Sequence, residues 1–410
     1  MATGNYKTLI TVLCCLLASC VKDKPDDVVR QTPFSGSKIY VVCEGRFMSG
    51  DASLYTYQPV PDSVFGDIYK STNNQPLGDV FQSMVRIGDK LFLCINNSDK
   101  VVVLNASDWS QVASIPIPKP RYMMQVSALR AFVTSEYSSK VYVINPQSQS
   151  VTDTFSLPST NTEGLCLYDN YAYICTWDTA CNVLYKVDAG TGQLGQKITI
   201  AGSAPKDVMM DKYNLLWVLS GNKQQGKRAI FTRIDPSSGN IVGQYQFPAD
   251  ADVIKPVFNT TRDTLYFIEI DYNGGTVNNG IYRMPIADLE LPTQPFIAAK
   301  QYQYFYALGI DPITGNIFVG DPKGFIQKGS VFIYQPDGKQ VKSFSVGMGP
   351  GRGPIHHHHI DAEALRFGAG LGHPTVANVG PRVPGHQPTF GQRRLSGIFQ
   401  KSPILKVQSP

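Results

Sequence analysis

Five carboxylates set the first chemical possibility. Glu44, Glu136, Glu163, Asp178 and Asp321 each fall in a loop or link between short apolar runs. If a fold gathered them, their oxygens could hold Ca²⁺, as in lactonase-like sites, or a pair could work as acid and base. Their spacing requires neither. Other chemistries are closed to most of the chain. All six histidines, His356, His357, His358, His359, His373 and His386, lie near one end. Residues 1–348 therefore cannot build a Ser-His-Asp or Cys-His arrangement or a His-ligated metal site. That segment has no Gly-x-Ser-x-Gly elbow and no P-loop, and Gly274-Gly275 sit in a hairpin loop rather than before a helix. No catalytic residue, metal site or cofactor is assigned.

Binding is the chemistry the same loops support better. They offer Glu44, Arg46 and Phe47; Asn96 and Asn97; Glu136 and Tyr137; Trp177 and Asp178; Asn222; Tyr272; and Asp321, Lys323 and Phe325. The links between repeats add Arg121, Tyr122, Glu163 and Lys206. Aromatic planes supply apolar area at little rotamer cost, and amides and carboxylates fix orientation, which suits a bulky polar ligand. Asn and Asp in such loops also serve ordinary turn chemistry.

The elements that must position these residues recur. Ile39-Tyr40-Val41-Val42, Leu91-Phe92-Leu93, Ala131-Phe132-Val133, Ala172-Tyr173-Ile174, Leu215-Leu216-Trp217-Val218, Leu265-Tyr266-Phe267-Ile268 and Ile317-Phe318-Val319 each open a unit. A second strand follows, as in Val101–Leu104, Val141–Ile144, Val183–Val187 and Val331–Tyr334, and then an Asp, Asn, Pro or Gly turn such as Asp188–Gly192 or Pro336-Asp337-Gly338. Seven units of about 45 residues, each with room for four short strands, predict an all-β, seven-bladed β-propeller of four-stranded blades over residues 37–351. Successive strands alternate in direction. The loops between the first and second of these runs therefore share a face with the links entering each blade.

Charge says little about partners of the body. The chain carries +5, but residues 349–410 hold seven Lys or Arg and two Asp or Glu, which accounts for all of it. A balanced body offers no footprint for nucleic acid.

The start of the chain reads as an address. Lys7 precedes an apolar run from Leu9 to Leu17, too short to span a bilayer and suited to a signal peptide. It ends in Leu17-Ala18-Ser19-Cys20, which resembles a bacterial lipobox with Cys20 as the lipidated residue. This predicts a signal peptide over 1–19, a polar tether over 20–36, and an outer-membrane location at the cell surface. Cys175 and Cys181 flank a short loop, where a bridge across the hairpin and two free packing thiols are both open readings.

Several stretches resemble one family. Glu44-Gly45, Leu77-Gly78-Asp79-Val80, Asn96-Asn97-Ser98, Lys119-Pro120-Arg121-Tyr122, Ala131-Phe132-Val133-Thr134, Leu216-Trp217-Val218 and Asp321 through Tyr334 resemble YncE-like propellers and, more closely, the DUF5074 lipoproteins of Bacteroidetes. Related propellers capture vitamin B12 for a TonB-dependent transporter. The resemblance implies capture of a corrinoid, another large metabolite or a glycan at the outer membrane, with such a transporter as partner. A protein-interaction or adhesion scaffold is the alternative. Val346–Gly351 matches the family's closing step, but the chain then departs into Arg352-Gly353-Pro354-Ile355 and four histidines. Residues 352–410 lack strand periodicity, which fits a disordered extension or an out-of-frame product. Because that segment should supply the first blade's innermost strand, the departure predicts an unclosed ring with an open edge.

Overall fold

The computed structural model describes residues 38–270 and 279–357. The segments expected to be signal peptide and tether, Cys20, Tyr272 and the chain beyond His357 lie outside the described residues.

Seven four-stranded antiparallel sheets make the predicted propeller. The innermost strands of blades two to seven are Phe81–Ile87, Pro120–Ser127, Thr162–Tyr168, Pro205–Met210, Asp252–Phe258 and Ala307–Ile310. The apolar runs that open each repeat are the second strands, Lys38–Cys43, Lys90–Ile95, Arg130–Ser135, Tyr171–Thr176, Leu216–Asn222, Thr264–Ile270 and Ile317–Asp321. They read as continuous rather than alternating apolar sequence because both of their faces pack against neighbouring blades. Tyr40 and Val42 join the core shared with blade two, while Ile39 and Val41 join the one shared with blade seven. Outer strands such as Ser150–Ser156 are largely exposed and mostly polar. Between blades five and six the core is aromatic. Trp217 stacks on Tyr245 at 5.2 Å, and Phe267 stacks on Tyr282 at 5.4 Å.

The ring is closed, which corrects the expectation of an open edge. Pro350–His357 pairs antiparallel with Lys38–Cys43 as the innermost strand of blade one. The register sets Ile355 opposite Tyr40 and Arg352 opposite Val42. Strand pairing needs backbone groups more than side-chain pattern, so a segment rich in Gly and Pro can fill the place. The propeller thus reaches past residue 351, and the backbone of His356 and His357 belongs to it, opposite Ile39 and Lys38.

A belt at the head of the channel

The innermost strands share a local device. In six of the seven blades the pairing slips close to the strand's start, between Phe81 and Ser83, Pro120 and Met123, Thr162 and Leu165, Pro205 and Asp207, and Ile254 and Val257, and beside Gly351 in blade one. A bulge of this kind re-aims a side chain out of the pleat. The residues within the slips include Gln82, Arg121, Glu163, Lys206, Lys255 and Gly351. The five with side chains are polar, and all five are buried. In five blades a residue with positive φ stands two places earlier: Val80 (57°), Lys119 (43°), Asn161 (56°), Ala204 (57°) and Gly349 (57°). The carbonyls of these residues accept from Asn96, Glu136, Trp177, Gly221 and Glu44 N–H groups at 2.8–3.1 Å. That repeated bond locks the rim loops onto the strand starts.

The belt is neutral as a set. Arg121, Lys206 and Lys255 stand with Glu44, Glu136 and Glu163. Arg121 is its hub. Nε donates to Glu163 Oε1 at 3.0 Å, one terminal nitrogen donates to Gln82 Oε1 at 2.5 Å, and the other lies 2.9 Å from Glu163 Oε1. Glu136 approaches to 3.7 Å. Burial disfavours the guanidinium charge, but Glu163 and Glu136 more than offset this and hold the pKa well above its ordinary value. Lys206 Nζ donates to the Val253 carbonyl at 2.7 Å, and Lys255 lies over the Tyr306 ring at 5.5 Å. At the sixth slipped position, in blade one, Gly351 has no side chain. The Glu44 carboxylate occupies that space, and a Cβ on Gly351 would overlap it.

These contacts sort the predicted site residues. Glu44, Asn96, Arg121, Tyr122, Glu163, Lys206, Asn222 and Asp321 are buried. Asn97, Glu136, Trp177, Asp178, Lys323 and Phe325 are half-buried, and Arg46, Phe47 and Tyr137 are exposed. Several do turn work. Asp178 accepts from Ala180 N–H, Asn222 from Gln225 N–H, and Asp321 from Lys323 N–H. Trp177 donates to the Gly221 carbonyl at 3.1 Å. The five carboxylates do not converge as a metal site; among the described residues no three His, Cys, Asp or Glu side chains do. Cys175 and Cys181 are both free thiols.

Sequence reading missed Gln82 and Lys255, although both occupy the slipped position that Arg121 and Glu163 also mark. Of the apolar rim above the belt it named Phe47 and Tyr137 but missed Met48, Tyr302 and Ile326. Met48, Tyr137, Tyr302 and Ile326 are 77%, 57%, 73% and 81% exposed. Three of them have left-handed backbone, with φ of 62° at Met48, 57° at Tyr137 and 61° at Tyr302. That conformation costs an L-residue roughly 1–2 kcal/mol and costs glycine almost nothing. The loops are nevertheless fixed. Met48 N–H donates to Asp79 at 2.8 Å, and Tyr137 N–H donates to Asn161 at 2.8 Å.

One acid near this face titrates unusually. Burial, with help from Asp250 and against Lys223, pushes the Glu269 carboxyl up to about 7. The folded state then holds a proton that the unfolded state releases between about 4.5 and 7. Stability is expected to fall by about 1–2 kcal/mol as pH rises through that window, after discounting for partial exposure. Denaturant melts of Glu269→Gln against the parent check it, since the variant should lose this slope.

The architecture defines a seven-bladed β-propeller with a belt of buried polar side chains near the starts of its innermost strands. Within that class the chain belongs to the DUF5074 family, a domain of unknown function, which it matches over residues 37–348. No curated protein matches. Solved structures share the fold. A periplasmic gluconolactonase of Pseudomonas aeruginosa is 12% identical, with a TM-score of 0.59 over 79% of this chain and 99% of its own. A quinonprotein alcohol dehydrogenase-like protein of Bacteroides thetaiotaomicron is 15% identical, with a TM-score of 0.58 over 76% of each chain. Hydrazine synthase of Kuenenia stuttgartiensis is 14% identical, with a TM-score of 0.52 over 66% of this chain and 87% of its own. Identities this low speak for the fold alone.

Proposed function

We propose that this chain is an exported, lipid-anchored binding protein without catalytic activity. Its propeller takes a large ligand, such as a corrinoid, another bulky metabolite or a glycan, on the rim face and passes it to a TonB-dependent transporter. The observation that carries the binding role is the rim itself. Large apolar side chains stand exposed at left-handed positions, where glycine would be cheaper. Anchoring rests on the lipobox-like Leu17–Cys20 and the apolar run before it. Below the rim, Gln82, Arg121, Glu163, Lys206 and Lys255 are at most 3% exposed, so the ligand lies across the mouth rather than down the channel. A contact that shallow also suits a protein partner, which is the second reading.

The test is calorimetric titration of the full chain with corrinoids, haem, siderophores and glycans. Failure of all four classes would overturn the reading. A further outcome is expected of Met48→Gly and Tyr302→Gly. Each should keep or raise stability, by up to about 1 kcal/mol, while weakening ligand binding severalfold. Thermal melts beside the titrations separate the two effects.

A further inference from the structure

The rim is chemically lopsided. Phe47 and Met48 lie in the rim loop of blade one, Ile326 lies in that of blade seven, and Tyr302 lies on the link entering blade seven from blade six, with Tyr137 apart from them on blade three. The seam between blades seven and one is continuous. Gly45 N–H donates to the Met348 carbonyl at 3.0 Å, and Glu44 N–H donates to the Gly349 carbonyl at 2.8 Å. The Phe325 ring lies against Gly349, where a Cβ would overlap it, and meets Tyr306 edge-on at 5.3 Å.

The charges of this seam are also one-sided. Arg46, Lys300, Lys323 and Lys328 stand against Glu44, Asp51, Asp79 and Asp321, but of these acids only Asp51 is not buried, so the solvent-facing side chains are four cations to one acid. Asp51 is spent on Arg46 at 2.8 Å, and Asp321 is buried beneath the Lys323 turn, where it accepts from the Lys323 N–H. The loops of blades two to four differ. There the solvent-facing acids Asp99, Glu136 and Asp178 are matched by Lys100, Lys119 and Lys140, and Lys119 is already shared between Asn97 and Asp99.

We infer that this seam takes a soluble anionic amphiphile, an apolar body lying on Met48, Tyr302 and Ile326 with carboxylates or phosphates reaching Lys323 and Lys328. The apolar side chains remove the body from water, and the lysines supply the counter-charge at the edge of the patch. An uncharged glycan meets little of its own chemistry there. This inference rests on the binding role proposed above and narrows its ligand class.

Protoporphyrin IX and its dimethyl ester, titrated into the full chain, separate body from charge. The free acid is expected to bind at least about tenfold tighter than the ester, an advantage that shrinks as salt rises. The double variant Lys323→Gln/Lys328→Gln should lower affinity for the acid by about tenfold and leave the ester unchanged. Lys140→Gln, on the opposite arc, should alter neither. Equal binding of acid and ester, or acid binding that survives the double variant, overturns the inference and leaves the rim's binding role standing. Binding of neither porphyrin overturns the inference as well; the binding role falls only if corrinoids, siderophores and glycans also fail.

Discussion

Replacing Arg121 with methionine is expected to destabilise the propeller by about 3–5 kcal/mol, the usual cost of removing one partner from a buried ion pair. The residue is 1% exposed and its main partner Glu163 is fully buried, so solvent cannot replace the lost cation. The variant strands Glu163 and removes the donors that Gln82 and Glu136 face. Removing both members tests whether the pair stabilises or only specifies. Arg121→Met with Glu163→Leu takes the stranded charge away, and the double variant should recover most of the loss. Chemical denaturation of the two single variants and the double variant gives the coupling. A single Arg121→Met variant that melts like the parent would overturn the belt's structural role. The belt lies directly under the rim loops, because the carbonyl of Lys119, two places before Arg121, accepts from Glu136 N–H. A slackened belt should therefore loosen the mouth, and binding should fall along with stability.

The blades were legible because their signal is local. A run such as Leu91-Phe92-Leu93 is apolar on both faces only where sheets flank it on both sides. The hairpin turns announce themselves by residues that tolerate unusual backbone angles. The belt was partly legible. Arg121, Glu163 and Lys206 were legible as charged residues on the links that enter each blade. Gln82 and Lys255 did not, because a bulge is a property of pairing between two strands and leaves no composition signal in one of them. The rest of the apolar rim was hidden for a related reason. Met48 and Tyr302 look like core residues by type, and only the backbone shows that they sit at left-handed turn positions facing solvent. Ring closure was misjudged because strand periodicity was sought in a segment whose side chains need not alternate to pair.

That closing strand gives the other large effect. A chain ending at Gly349 is expected to lose cooperative unfolding and to associate with its own kind as concentration rises. Removing Pro350–His357 uncovers the inner edge of Lys38–Cys43 and leaves a row of backbone groups unpaired. Each lost backbone bond is worth about 1 kcal/mol net, so the sum over the strand is a large share of the ~5–15 kcal/mol that holds a typical domain. Buried Ile39, Val41 and Cys43 pack against blade seven, so the seam between first and last blades should part first. Hydrogen exchange would show this as early loss of protection in Lys38–Cys43 and Lys328–Tyr334, and a truncated chain that melts like the whole one would overturn it. A gentler substitution probes the same joint. Gly351→Ala forces a Cβ onto the Glu44 side chain and should cost about 1–3 kcal/mol. In a Glu44→Ala background the obstruction is gone, and the cost should largely vanish. If it persists, the glycine is required by the backbone of the closing strand rather than by the carboxylate that fills its place.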